Sequence, residues 1–174
     1  MYRQVVIGVM GGANAKPEVE KAAFEMGVLI ADHGWILLNG GRDSGVMAAS
    51  ARGAATRGGI TVGILPGEGP AGMSEHISIP IFTGMGMARN CINVLSSTVV
   101  VAFPGGPGTI SEIALALKYG RPVILVGFDA DGFFSPTKKD GSLSSVATPK
   151  QAIDKIKEYL NRTDRGRKAP SRNR

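Results

Sequence analysis

The run Thr98–Phe103 is apolar at every position but its first, and Pro104-Gly105-Gly106-Pro107-Gly108-Thr109 follows at once, leading into helical spacing over Thr109–Tyr119. A strand with no polar face must be covered on both sides. Three glycines in the turn that follows let the backbone approach a ligand closely. The amides of Gly105, Gly106, Gly108, Thr109 and Ile110 can converge at the helix N-terminus, where the dipole favours an anion. Glu112, three residues after Thr109, can project from the first helical turn into the same crevice. The pattern reads as a phosphate cradle with a carboxylate beside it. It would also serve a tight strand-to-helix turn whose glutamate suits the dipole, although such a turn does not need three glycines and a threonine.

The same unit of strand, glycine-rich loop and helix recurs along the chain. Gln4–Met10 ends at Gly11-Gly12 and precedes apolar residues at helical spacing from Pro17 to His33. Trp35–Leu38 is a short strand, Asn39-Gly40-Gly41 a turn, and Ser44–Arg57 a helix. Strands follow at Ile60–Leu65 and Ile77–Phe82, with the long loop Pro66–Glu75 between them, and then a helix at Met85–Leu95. After helix Thr109–Tyr119 come strand Pro122–Val126, an irregular loop Phe128–Ser142, and a helix Lys150–Leu160 with Thr148 and Pro149 at its start. This alternation specifies an α/β domain with an open, mostly parallel sheet and helices on both faces. Ligands in such sheets lie beyond the carboxyl ends of the strands, and three glycine-rich loops fall there.

Several function classes are excluded by what those loops lack. The first strand ends Gly8-Val9-Met10-Gly11-Gly12 rather than G-x-G-x-x-G, and no acid closes the second strand, so NAD is not expected. Gly40 and Gly45 have Walker spacing, but Val46-Met47 stands where Lys-Ser/Thr would be required. No G-x-S-x-G elbow occurs. The lone Cys91 and the two histidines form no zinc pattern. The net charge of +6 resembles a nucleic-acid signal until it is located. Residues 161–174 hold six basic side chains and one acid, five of the six net charges, which leaves +1 for the other 160 residues. The expected organisation is therefore one domain over residues 1–160 and a basic, unstructured tail over 161–174. Nucleic acid and membrane are not expected partners. With no charged-then-apolar leader, no long apolar run and a single cysteine, the expected location is the cytoplasm.

A second polar cluster lies on the helix Met85–Leu95 and its continuation. Arg89, Asn93 and Ser96 fall on one side at i, i+4 and i+7. Arg89 can offer a planar fork of donors to a phosphate or ribose oxygen, or pair with Glu112 across the crevice. A solvated polar face is the alternative. Arg42 and Ser44, beside the second loop, follow the same logic. The candidate ligand-binding set is thus Gly11, Gly12, Gly40, Gly41, Arg42, Ser44, Arg89, Asn93, Gly105, Gly106, Gly108, Thr109 and Glu112, with the methionines and Cys91 read as packing residues.

The stretches Gly40–Met47, Arg89 and Pro104–Glu112 resemble the LONELY GUY phosphoribohydrolases, which also carry an older label as lysine decarboxylases. Nothing in the residues points to pyridoxal phosphate. The resemblance implies a Rossmann-like fold, with Arg89 and Glu112 as catalytic residues cleaving the N-glycosidic bond of a nucleoside 5′-monophosphate. The chain departs from that family at Asn90, where a lysine is usual, and at Ser111, where an acid is usual. A resemblance covering about Val6 to Val126 is to the molybdenum cofactor carrier proteins. It rests on Gly8–Gly11, His33–Leu38, Val62–Gly67, Ile92–Ser97 and Gly106–Lys118. It implies binding of the phosphate-bearing molybdopterin cofactor, a homo-oligomer (tetramer ahead of dimer), and molybdoenzymes as recipients. A nucleotide-sensing module is a third class the residues allow. The segment Ile113–Leu117 is apolar around most of a helix, which calls for cover on a second side by a partner subunit or by the Phe128–Ser142 loop.

Overall fold

The computed structural model describes residues 4–129 and 141–168. The elements run β1 (Val6–Met10), α1 (Pro17–Asp32), β2 (Ile36–Asn39), α2 (Gly45–Ala55), β3 (Thr61–Leu65), β4 (Ile79–Phe82), a 3-10 turn (Gly86–Arg89) and α3 (Asn90–Ser96). They continue with β5 (Val99–Ala102), α4 (Pro107–Lys118), β6 (Val123–Val126), β7 (Leu143–Val146) and α5 (Pro149–Lys168). The seven strands form one sheet in the order β4-β3-β2-β1-β5-β6-β7, and every pairing is parallel. Strand order reverses between β1 and β5, so their carboxyl ends flank the switch point where ligands of such sheets bind.

β5 shows why the fold closes this way. Val99 and Val101 belong to a core with α1, α2 and α5, whereas Val100 and Ala102 belong to a second core with α3 and α4. All four are buried. On the first face α1 and α2 touch backbone to backbone. An added Cβ at Gly27 would lie 2.8 Å from the Ala54 nitrogen and against the Ser50 carbonyl, and one at Gly53 would lie 2.9 Å from the Phe24 carbonyl carbon.

The elements expected from the sequence are present, with three differences. β7 was not anticipated: Leu-Ser-Ser-Val at the sheet edge is too short and polar to stand out. Met85–Leu95 is not one helix, because Gly84 and Gly86 take positive φ (62° and 54°) and the chain makes a 3-10 turn before α3. The last helix continues past Leu160 to Lys168, into the segment expected to lack structure. Residues 130–140 of the anticipated loop and 169–174 of the tail lie outside the described residues.

Because α1 and α2 leave no room for a methyl group between them, Gly27→Val should lower the unfolding free energy by about 1–3 kcal/mol. Urea denaturation checks this; an unchanged midpoint would mean the two helices are not in backbone contact.

Candidate functional site

Three loops meet beyond the carboxyl ends of β1, β2 and β5, and they are tied together by backbone hydrogen bonds. The Gly12 amide donates to the Pro104 carbonyl at 3.1 Å, and the Val46 amide donates to the Gly12 carbonyl at 3.1 Å. The buried Asn39 secures the second loop, its Nδ2 donating to the Met47 carbonyl (2.9 Å) and Ser50 Oγ (3.1 Å) and its Oδ1 accepting from the Gly41 amide (2.8 Å). Between the loops lies a crevice of about 220 Å³.

Most of the glycines here have reasons internal to the protein. A Cβ at Gly11 would strike the Val46 side chain at 2.6 Å, and one at Gly40 would meet the Arg89 guanidinium at 2.5 Å. Gly41 has φ +73° and sits against Leu65, while a Cβ at Gly105 would collide with the Thr109 side chain. Gly106 and Gly108 differ. Gly106 has φ −87°, open to any residue, and a Cβ there would meet nothing within 4 Å. At Gly108 the nearest atom would be Met87 Cε at 3.2 Å. These two face the crevice at the first turn of α4, where helix amides have no partner one turn back. The Ile110 amide, expected in the cradle, instead donates to the Gly106 carbonyl at 3.2 Å. At the first turn of α4 the amides of Gly106, Gly108 and Thr109 have no backbone partner one turn back among the described residues, and Pro107 has no N–H.

Two buried charges form the inner wall. Arg89 and Glu112 are each only 6% exposed, with Arg89 Nη1 3.7 Å from Glu112 Oε1. Asn93, fully buried, donates from Nδ2 to the same carboxylate oxygen at 2.7 Å. Burial raises the Glu112 carboxyl above its ordinary value, opposed by the Asn93 hydrogen bond and then by the Arg89 charge. Burial likewise lowers Arg89, opposed by Glu112 and reinforced by Arg42. Arg89 Nε has no hydrogen-bond partner among the described residues.

Of the candidate residues, Gly11, Gly12, Gly40, Arg42, Arg89, Gly106, Gly108, Thr109 and Glu112 line the crevice. Gly41, Ser44, Asn93 and Gly105 do not: Ser44 is the cap position of α2, and Asn93 acts through Glu112. Ser96, expected beside Arg89, is exposed. The sequence reading missed Met10, Met47, Met87 and Asn90, all of which line the crevice. No methionine carries a signal that separates lining from packing, but Asn90 directly follows Arg89 and could have been tested with it.

A family model described as the SLOG cluster4 family matches residues 4–153. The chain belongs to the SLOG cluster4 family. Among solved structures it is similar to the molybdenum cofactor binding protein of the phototrophic bacterium Rippkaea orientalis, at 43% identity and TM-score 0.87, covering 92% of this chain and 99% of that one. It is also similar to the molybdenum cofactor carrier protein of Chlamydomonas reinhardtii, at 44% identity and TM-score 0.83, covering 91% and 99%. An uncharacterized protein of Archaeoglobus fulgidus is 47% identical over 117 residues, 67% of this chain and 76% of that protein. The resemblance to molybdenum cofactor carriers therefore extends over nearly the whole described fold. No described helix is long and apolar enough to cross a membrane, and no group of His, Cys, Asp and Glu that could hold a metal occurs among the described residues.

Within this SLOG member the two departures from the hydrolase pattern are in contact. Asn90 Nδ2 donates to Ser111 Oγ at 3.0 Å, and Ser111 Oγ donates to the Gly108 carbonyl at 2.7 Å. A neutral pair thus stands where the hydrolase pattern has a lysine and an acid.

The raised Glu112 carboxyl has a sign that can be checked. A folded state that holds this proton more tightly than the unfolded chain gains stability below the ordinary value of 4.5 and loses it as pH rises through the raised value. Glu112→Gln mimics the protonated form. Its melting temperature should match the wild type at about pH 4 and exceed it at about pH 7.5. A variant less stable than wild type at neutral pH would show that the Arg89 contact outweighs burial.

Proposed function

We propose that this protein binds and carries the molybdenum cofactor, holding the cofactor's phosphate at the first turn of α4 against the Gly108 and Thr109 amides, with Arg89 and Arg42 as cationic flanks. The observation that carries the proposal is Gly106. Neither its φ nor any neighbouring atom requires glycine, yet it lines the crevice, so the absence of a side chain there is read as serving something outside the protein. The donor set fits the group: amides at a helix N-terminus and a buried guanidinium with a free Nε–H suit a phosphate monoester. Met10, Met47 and Met87 add polarizable thioethers that suit a flat ring system. The cofactor's redox chemistry belongs to a recipient molybdoenzyme; this chain supplies ground-state binding and exclusion of water.

A nucleoside monophosphate phosphoribohydrolase would use the same cradle, and one observation favours it: Arg89 and Glu112 both line the crevice, 3.7 Å apart. Against it, the Asn90–Ser111 pair is neutral where the hydrolase pattern has a lysine and an acid. Protein made in cells that synthesise the cofactor should retain molybdenum and phosphate and release no adenine from AMP. Gly106→Val should fold normally and lose retention, whereas Glu112→Gln should change it only modestly. Adenine release that collapses in Glu112→Gln, without cofactor retention, would replace the carrier by the enzyme.

The carrier is a homo-oligomer in this proposal, a tetramer ahead of a dimer. Within Ile113–Leu117, expected to need cover on a second side by a partner subunit or by the Phe128–Ser142 loop, Ile113 and Ala116 are buried against the sheet and Ala114 is exposed. The large apolar side chains left exposed include Ile110 of α4, Leu95 of α3, and Ile79 and Ile81 of β4. The register of β4 with Val62 and Ile64 puts the last two on the α3–α4 face of the sheet. Light scattering at micromolar concentration should give a tetramer or dimer, reduced in mass by Ile79→Lys with Ile81→Lys; a monomeric wild type would contradict this.

A further inference from the structure

Asn90 is 5% exposed and lines the crevice one residue after Arg89. The orientation of its amide is determined by its neighbours. The Ser111 hydroxyl uses its single hydrogen on the Gly108 carbonyl at 2.7 Å, so toward Asn90 it can only accept. The Gly108 carbonyl, 3.5 Å from the same amide, is also only an acceptor. Both therefore require the NH2 group of Asn90 to face α4, as it does, with Nδ2 3.0 Å from Ser111 Oγ. The opposite end, Oδ1, has no hydrogen bond to any described residue, and it is not among the buried unpartnered atoms. It is an acceptor held open to the crevice.

We propose that Asn90 Oδ1 is a specificity-determining contact that accepts a hydrogen bond from a hydroxyl or N–H of the ligand's organic part, next to the phosphate held by α4. This rests on the reading of the crevice as a site for a phosphate ester, and it adds the kind of group that must stand beside the phosphate. A fully ionised phosphate oxygen offers no proton and is repelled by a carbonyl oxygen, so Asn90 does not strengthen the anion anchor. A site that presents an oriented acceptor disfavours ligands that leave it unpaired, because the desolvated carbonyl then has no donor. Ser111 acts as a positioning residue: without its hydroxyl only the Gly108 carbonyl, at 3.5 Å, holds the NH2 toward α4, and the amide is less firmly oriented.

The test compares affinities for three probes, namely the molybdenum cofactor, AMP and inorganic phosphate, in full-length wild type, Asn90→Leu, Ser111→Ala and Ser111→Thr. For whichever organic phosphate ester the wild type binds, Asn90→Leu should weaken binding about tenfold and Ser111→Ala about threefold, while Ser111→Thr restores wild-type affinity. Inorganic phosphate should change less than about twofold in every variant. Equal losses for ester and inorganic phosphate would mean that the pair merely shapes the first turn of α4, and no loss for the ester would mean that Oδ1 touches nothing; either overturns the proposal. A wild type that binds AMP but not the cofactor overturns the carrier reading and leaves the Asn90 claim to be judged on AMP. Binding of neither ester overturns both. Should Asn90→Leu unfold, the contrast between Ser111→Ala and Ser111→Thr decides, since both keep Asn90.

Discussion

Withdrawing a guanidinium from water is costly, and the loops of this site are arranged around one that has been withdrawn. Arg89 lies in a slot that exists because residue 40 has no side chain, and Asn39 pins that loop to α2 so that the slot keeps its shape. Glu112 answers the charge from α4 at 3.7 Å, longer than a direct hydrogen bond. Asn93 takes the carboxylate oxygen instead. The cation is thus shielded from solvent but incompletely satisfied within the protein. That is the condition in which a buried charge interacts strongly with an incoming anion.

The parallel sheet explains why this charge and the α4 N-terminus face one another. β1 and β5 sit side by side at the switch point, so the loops leaving them diverge to opposite faces and open a crevice. The bonds from Gly12 to Pro104 and from Val46 to Gly12 hold three loops as one frame, with little need for ligand-driven ordering. Such preorganisation suits tight ground-state binding. Catalysis would require contacts stronger in a transition state than in the bound ligand. The neutral Asn90–Ser111 pair supplies no evident reserve of that kind.

Much of this was legible in the chain. The apolar β5 run announced a strand covered on both faces, and the Pro104–Glu112 motif placed α4's first turn at the crevice. What could not be read was the reason for each glycine. Gly11 makes room for Val46, Gly40 for Arg89 and Gly105 for Thr109, whereas Gly106 makes room for nothing in the chain. All four look alike in sequence, because only the neighbouring atoms reveal the cause. Asn90 was hidden for a related reason. Its role depends on which way an amide faces, and that is set by a hydroxyl hydrogen-bonded 21 residues away in sequence.

The most direct measurement of the central claim is a crystal structure of the protein loaded with molybdenum cofactor, with phosphorus located in the density. The account predicts the phosphate within hydrogen-bond distance of the Gly108 and Thr109 amides, over Gly106, with the Arg89 guanidinium turned toward it. A cofactor bound elsewhere on the protein, or one whose phosphate points to solvent while those amides stay bonded only to protein, would contradict it.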